Sequence, residues 1–370
     1  MPVENPTKKQ ISELVTPRQA IQDSITLIQA KQDELGCGPR GSPTYCPVLT
    51  IGGSYAGLLS TLARVAYPNV VDMAYGAGPC LFLFDHSASP YSYYEQITSV
   101  AQRMSPGCPR AVHETLADVK TRLAPYHKKD DILSAAREYG VCANHKNPLP
   151  SYIENGADLA QQIIIFNSDM FGDSGMDNYP PSPDTKFMQA CTIFKDESKS
   201  TPEKIRAYFE LMEEPKTTDD EQRCHAFQES SDGIDFWDAL CCQIVPMIGR
   251  SNDTMWFPKP FDVKAYQKDC QKDFGITHDV DAFVHEFGFD NLSHQTRLLL
   301  TNGVNDVWYP VSYLEPPGDG VVVMNFVNGA HHSELTHQLQ ADTPDIELGH
   351  KEISDLVETW LQQVREEGPN

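Results

Sequence analysis

The stretch "LTIGGSYAGLL", Leu49 to Leu59, constrains the fold of this chain more than any other. A short β-prone run enters a glycine turn and leaves as a helix, so three local structures follow one another without a linker. Ser54 sits at the apex. A turn of the form G-x-S-x-G exposes a serine hydroxyl on such a strand-to-helix elbow. Here the letters are G-G-S-Y-A-G: Gly52 stands two places before Ser54, and Gly57 stands three after it, one place late. Glycine turns of this kind are common as plain connections, so the segment alone leaves both readings open.

The rest of the chain supplies an α/β setting. "TPRQAIQDSITLIQAKQDELG" reads as a helix with Thr16 as N-cap, Pro17 at the first position, an apolar face of Ala20, Ile21, Ile25 and Ile28, and Gly36 as stop. "PVLTI" leads into the elbow, and "YAGLLSTLARVAYP" leaves it as a helix ended by Pro68. "CLFLF", Cys80 to Phe84, reads as a second buried strand. From residue 86 to 290 helical patterns dominate, among them "YSYYEQITSVAQRM" and "AVHETLADVKTRL", broken by proline-rich loops such as "NYPPSPDT". Strand signals return in "TRLLLTNGVNDVW" and "GVVVMNFVNGAHH", and "HKEISDLVETWLQQVREE" follows as an amphipathic helix. The layout predicts an α/β core in two parts, 1–85 and 291–370, around a helical cap domain at 86–290.

The two late strands bear on the serine. Each runs into a polar turn, one carrying Asp306 and the other His331. In a parallel sheet the carboxyl ends of the strands line one edge, so three such turns converge there. A serine hydroxyl is a poor nucleophile until a histidine takes its proton, and an aspartate holds that imidazole in the right tautomer. The order Ser54, Asp306, His331 is the order found in α/β-hydrolases. Each residue has a plainer reading. Asp306 can cap a turn, and with 12 histidines a chance partner is easy to find.

Net charge and cysteine usage narrow the classes further. The net charge of −23, without a Lys/Arg cluster, excludes a nucleic-acid backbone as partner and disfavours an anionic membrane surface. No apolar run reaches membrane-spanning length. The ten cysteines contain no C-x-x-C unit, so neither a zinc site nor any other metal or cofactor is expected. Cys37 and Cys46 bracket a Gly/Pro loop that a disulfide can staple, and Asn252 and Asn291 head two N-glycosylation triplets. These features favour an oxidising, secretory compartment. The N-terminus "MPVENPTKKQ" has no apolar signal core, and a missing N-terminal segment is the expectation that reconciles the two.

On these residues the chain resembles the serine peptidases that include lysosomal prolyl carboxypeptidase and dipeptidyl peptidase II. "GGSYAG" is similar to that family's G-G-S-Y-G/S-G, "TNGVNDVW" to S-N-G-x-L-D-P-W, and "GAHHSEL" to G-A-H-H-x-D-L. "FWDALCCQ", "YQKDCQKDFG" and "MDNYPP" resemble further family segments, in the same order along nearly the whole chain. The resemblance implies an α/β-hydrolase core whose first strands are missing, a helical cap, and Ser54 as nucleophile, Asp306 as orienting acid and His331 as base. It also implies that the Tyr55 backbone N–H faces the oxyanion and that Trp308, Tyr179 and Pro180 line the pocket. The implied reaction is cleavage after proline in short peptides, by a secreted or lysosomal enzyme. The resemblance implies a disulfide Cys242–Cys270, with Cys241 as the adjacent competitor, and Cys37–Cys46 and Cys142–Cys224 are expected beside it. The chain departs from the pattern at "DVWYPVS" and at Glu334, where the family has aspartate, so subsite specificity is left open. An esterase or lipase with the same triad, and a truncated non-catalytic remnant, are the alternatives. Carboxypeptidase or dipeptidyl peptidase action, and a monomer or a homodimer, are not distinguished by the sequence.

Overall fold

A computed structural model describes residues 6–144, 146–213, 224–227 and 236–367. The chain divides into two compact units. Unit 1 comprises Met1–Tyr93, Ile234–Ile248 and Phe261–Asn370, and unit 2 comprises Tyr94–Gly233 and Gly249–Pro260. Residues 234–248 and 261–290, read from sequence as part of one helical block, therefore fall in unit 1.

Unit 1 is an α/β assembly on a parallel sheet. Its described strands are β1 (Leu49–Gly53), β2 (Met73–Ala77), β3 (Leu298–Gly303) and β4 (Val321–Phe326), hydrogen-bonded in the order β1-β2-β3-β4. All pairings are parallel, and Gly53 pairs with Ala77, Ala77 with Thr301, and Gly303 with Phe326. This register brings the connections after all four strands to one edge. β2 and β3 are buried at every residue, as strands covered on both faces must be.

Alternation along the strands sorts their side chains into two layers. Ala74, Leu298 and Leu300 pack with Leu58 and Leu62 of the elbow helix Tyr55–Ala66 and with Ile21 and Ile25 of the helix Pro17–Leu35. Met73, Tyr75 and Leu299 face the other way, against Trp360 of the final helix Pro344–Glu366. The helix Pro17–Leu35 starts and stops as its sequence implies. The Thr16 side chain accepts from the Gln19 N–H, and Gly36 closes the helix in the left-handed region at φ 70°.

The second strand differs from expectation. "CLFLF" is not a strand: Cys80 has φ 50°, and Leu81–Phe84 forms a single helical turn. The strand is the preceding "MAYGA". A short apolar run has no period to separate strand from helix, whereas this strand carries small residues because a helix backbone lies on it. A Cβ at Gly76 would come 2.7 Å from Thr61 Oγ1 and 3.0 Å from the Gly57 carbonyl oxygen.

The opposite edge of the sheet is tied by charge. Asp72, fully buried before β2, pairs with Arg40 and accepts from the Tyr45 hydroxyl at 2.9 Å and the Val48 N–H at 2.8 Å. Arg40 and Arg297 both reach Glu367 at the end of the final helix. Arg40 and Tyr45 lie in the loop closed by a Cys37–Cys46 disulfide, so staple and ion pairs act on the same segment. A second disulfide in unit 1 joins Cys242 to Cys270.

Unit 2 is helical. The helices Cys108–Leu123, Gly156–Met176, Lys186–Lys195 and Thr201–Met212 enclose Phe171, Phe187, Phe194, Tyr208 and Trp256. The Asn155 side chain caps the longest of them by accepting from the N–H groups of Ala157 and Asp158. Disulfides Cys142–Cys224 and Cys108–Cys191 close this unit, the latter not anticipated from sequence. Among the described residues no helix is long and apolar enough to cross a membrane.

Candidate active site

Ser54 follows β1 directly and caps the elbow helix with φ 57° and ψ −129°. Positive φ in a side-chain-bearing residue is strained, and here the turn is held on both sides. The Ser54 N–H donates to the Ala77 carbonyl at 2.8 Å, and its own carbonyl accepts from the Leu58 N–H. Gly52 is demanded by this geometry, since a Cβ there would lie 2.1 Å from the Ala56 carbonyl oxygen. The late second glycine is required as well, because a Cβ on Gly57 would press at 3.0 Å on the carbonyls of Gly52 and Ala77. Ser54 itself is half-buried. Tyr55 opens the helix, where the first N–H groups have no acceptor within the helix and point at the serine end. Its ring meets Trp237 edge to face at 6.1 Å, and burial pushes its phenol well above the ordinary value.

Asp306 and His331 occupy the turns after β3 and β4. The Asp306 carboxylate is 1% exposed and divides its two oxygens. Oδ1 accepts from the Trp308 N–H at 2.9 Å, and Oδ2 meets His331 Nδ1 at 2.7 Å. That contact fixes Nδ1 as the protonated nitrogen and leaves Nε2 as the acceptor. Nε2 is buried and has no hydrogen-bond partner. The Asp306–His331 contact is thus present, and no hydrogen bond joins Ser54 Oγ to His331 Nε2. Hydrogen bonds of this kind are often loose without substrate, because the substrate aligns the serine.

The second histidine is placed differently. His332 takes the left-handed conformation at φ 42°, and its ring abuts Gly53, where a Cβ would come 2.9 Å from Cδ2. The two imidazoles lie 4.4 Å apart, and Asp306 holds the first of them.

Two contributors were missed as site residues. Gly78, after β2 at φ 53°, leaves room for the pair: a Cβ there would stand 3.2 Å from His331 Nδ1 and 3.3 Å from Asp306 Oδ2. One of the two glycines in "AYGAGPC", it carries no pattern that would single it out. Glu334, noticed in the sequence only as a departure, is 2% exposed, and burial pushes its carboxyl up to about 7. Of the aromatic candidates, Trp308 lies 4.2 Å from the Tyr93 ring. Tyr179 and Pro180, joined by a cis peptide bond, belong to unit 2. Asn252 and Asn291 are exposed. Among the described residues no group of three or more His, Cys, Asp or Glu side chains could hold a metal.

Comparison with known proteins gives the family of the chain. The family described as Serine carboxypeptidase S28 matches residues 1–353. The human protein named "Lysosomal Pro-X carboxypeptidase" is 23% identical over 328 residues, covering 85% of this chain and 64% of the relative. "Prolyl carboxy peptidase like protein 5" of Caenorhabditis elegans is 24% identical over 378 residues, covering 94% of this chain and 71% of the relative. The mouse "Thymus-specific serine protease" is 21% identical over 385 residues, covering 95% and 70%. The chain therefore spans less than two thirds of the length of the human relative. Matched over nearly its whole length, and carrying a serine elbow beside an Asp–His pair, the chain belongs to the serine carboxypeptidase S28 family.

Proposed function

We propose that this chain carries the catalytic machinery of a serine exopeptidase that cleaves after proline. The observation that carries this reading is the 2.7 Å Asp306–His331 contact on the sheet edge where Ser54 stands at its elbow. Ser54 Oγ attacks the prolyl carbonyl carbon, and its proton passes to His331 Nε2. Asp306 holds the ring and stabilises the imidazolium through Nδ1. The carbonyl oxygen becomes an oxyanion facing the Tyr55 N–H, one donor of the hole. The tetrahedral species expels the amine of the following residue, which leaves with the proton from Nε2. Water then attacks the acyl-enzyme, His331 takes its proton, and the prolyl carboxylate departs as Ser54 is restored.

Proline fits an aromatic wall because its ring is compact, apolar and fixed in φ. Trp308 with Tyr93 supplies such a wall in unit 1. The names of the human and nematode relatives favour release of one C-terminal residue over release of a dipeptide. Four disulfides suit a secreted or lysosomal location.

The test is to incubate the protein with peptides ending in Pro-X, with N-terminal X-Pro dipeptide substrates and with a short-chain ester, and to identify products by mass. Release of the residue after proline from the first set, abolished in Ser54→Ala, is expected. Ester turnover without any cleavage after proline would move the assignment to an esterase.

A further inference from the structure

Glu334 stands where an acidic side chain has no structural ease. It lies in the short turn Ser333–Leu335, three residues after His331, and is 2% exposed. Oε1 accepts from the hydroxyl of Thr301, itself fully buried in β3, and that hydroxyl lies 3.4 Å from the Tyr75 hydroxyl. Oε2 is buried without a partner. The adjacent Leu335 packs against a core cluster that contains Tyr75, Leu299 and Trp360.

The titratable groups acting on this carboxyl are few. Tyr75 comes from β2, Asp306 from the turn after β3, and His331 from its own loop, while the final helix carries Trp360 on the Tyr75 side and His350 beside Asp342. Asp306 disfavours a second negative charge and His331 favours one. Burial outweighs both, because an ionised carboxylate with one buried oxygen left without a partner has lost its water without replacement. The two carboxyls thus have opposite environments. Asp306 has partners on both oxygens, whereas Glu334 has one bare oxygen and burial pushes its carboxyl up to about 7.

We propose that Glu334 is a positioning residue for the Asp306–His331 pair: as a neutral acid it fastens the histidine loop to β3 through Thr301, and its ionisation sets the alkaline limit of activity. This rests on the reading of His331 as the base and Asp306 as its orienter. Once ionised, the carboxylate sits beside another anion and must draw in water or move, and the loop that carries His331 moves with it. Positioning of this sort acts on the chemical step rather than on substrate capture.

The test follows the His331 ring by NMR across pH in the full chain, its resonance assigned by loss in His331→Asn. The wild type is expected to show a second inflection at about 7, the value to which burial raises the Glu334 carboxyl. Glu334→Gln keeps the shape and the acceptor for Thr301, and is expected to lack that inflection. Thr301→Val removes the hydrogen bond that favours the anion and is expected to move the inflection upward. In parallel, the ratio of kcat for Glu334→Gln over wild type should rise at least about threefold between about pH 5.5 and about pH 8.5, with the KM ratio flat. Superimposable His331 titrations in wild type and Glu334→Gln would overturn the proposal. The titration needs no turnover, so a second inflection without peptide cleavage would sink the peptidase reading and leave the coupling standing.

Discussion

At the scale of single residues, the site depends on what is absent as much as on what is present. Gly78 lets the sheet edge approach the Asp306–His331 pair, and a methyl group would enter at 3.2–3.3 Å from both, on a backbone at φ 53°. Gly78→Ala is expected to lower kcat/KM at least about tenfold, since misplacing a catalytic group by about 1 Å costs about a hundredfold. It should also destabilise the fold by about 1–2 kcal/mol through backbone strain. Steady-state kinetics beside urea melts will check both, and wild-type kinetics would contradict the packing argument. Glu334 gives a pH-dependent companion. Its carboxyl rises from the ordinary 4.5 to about 7 on folding. The unfolded chain therefore releases this proton first. The carboxyl's share of stability is complete below about pH 4.5 and is lost as pH rises through about 7, a difference of about 3 kcal/mol. Melts of wild type and Glu334→Gln should converge in acid and separate towards neutrality, and parallel curves would refute the sign. The positions of Ser54, Asp306 and His331 after three strands were legible in the sequence, because each follows an apolar run into a polar turn. Gly78 was not, because its reason lies in two loops more than two hundred residues away in sequence.

At the scale of elements, burial pattern decided what was legible. β3 and β4 are apolar runs bounded by turn residues, and the helix Pro17–Leu35 carries its caps in its letters. β2 was passed over because its small residues answer to the elbow helix, a contact no local window contains. The ion-pair edge was equally invisible, since Arg40, Asp72, Arg297 and Glu367 share no spacing. Asp72→Ala is expected to cost about 3–5 kcal/mol, because Arg40 loses its buried partner and the Val48 N–H and Tyr45 hydroxyl lose their acceptor. Urea unfolding measures this, and a loss below about 1 kcal/mol would show that the network is dispensable.

At the scale of the whole molecule, acidity and disulfides define where the chain can work. The charge of −23 disfavours polyanionic partners, and the cysteines are nearly all spent on cross-links. Ten cysteines and four disulfides leave Cys80 and Cys241 as thiols. Thiol titration of the unreduced, denatured protein should count two, and a higher number would mean that a bridge is missing. Removal of a native disulfide from a small secreted domain costs about 2–5 kcal/mol, so expression in a reducing cytosol should give little folded protein. The pairing Cys108–Cys191 escaped the sequence reading because cysteine spacing does not encode connectivity.

The most direct measurement of the central claim is covalent labelling with a fluorophosphonate, with the adduct mapped by mass spectrometry. Phosphonylation requires an activated serine and no knowledge of the substrate. One adduct is expected, on Ser54, forming at least about a hundredfold more slowly in His331→Ala and in Asp306→Asn. An adduct on another residue, or labelling of Ser54 at the wild-type rate in His331→Ala, would contradict the assignment of Ser54, Asp306 and His331 as a working triad.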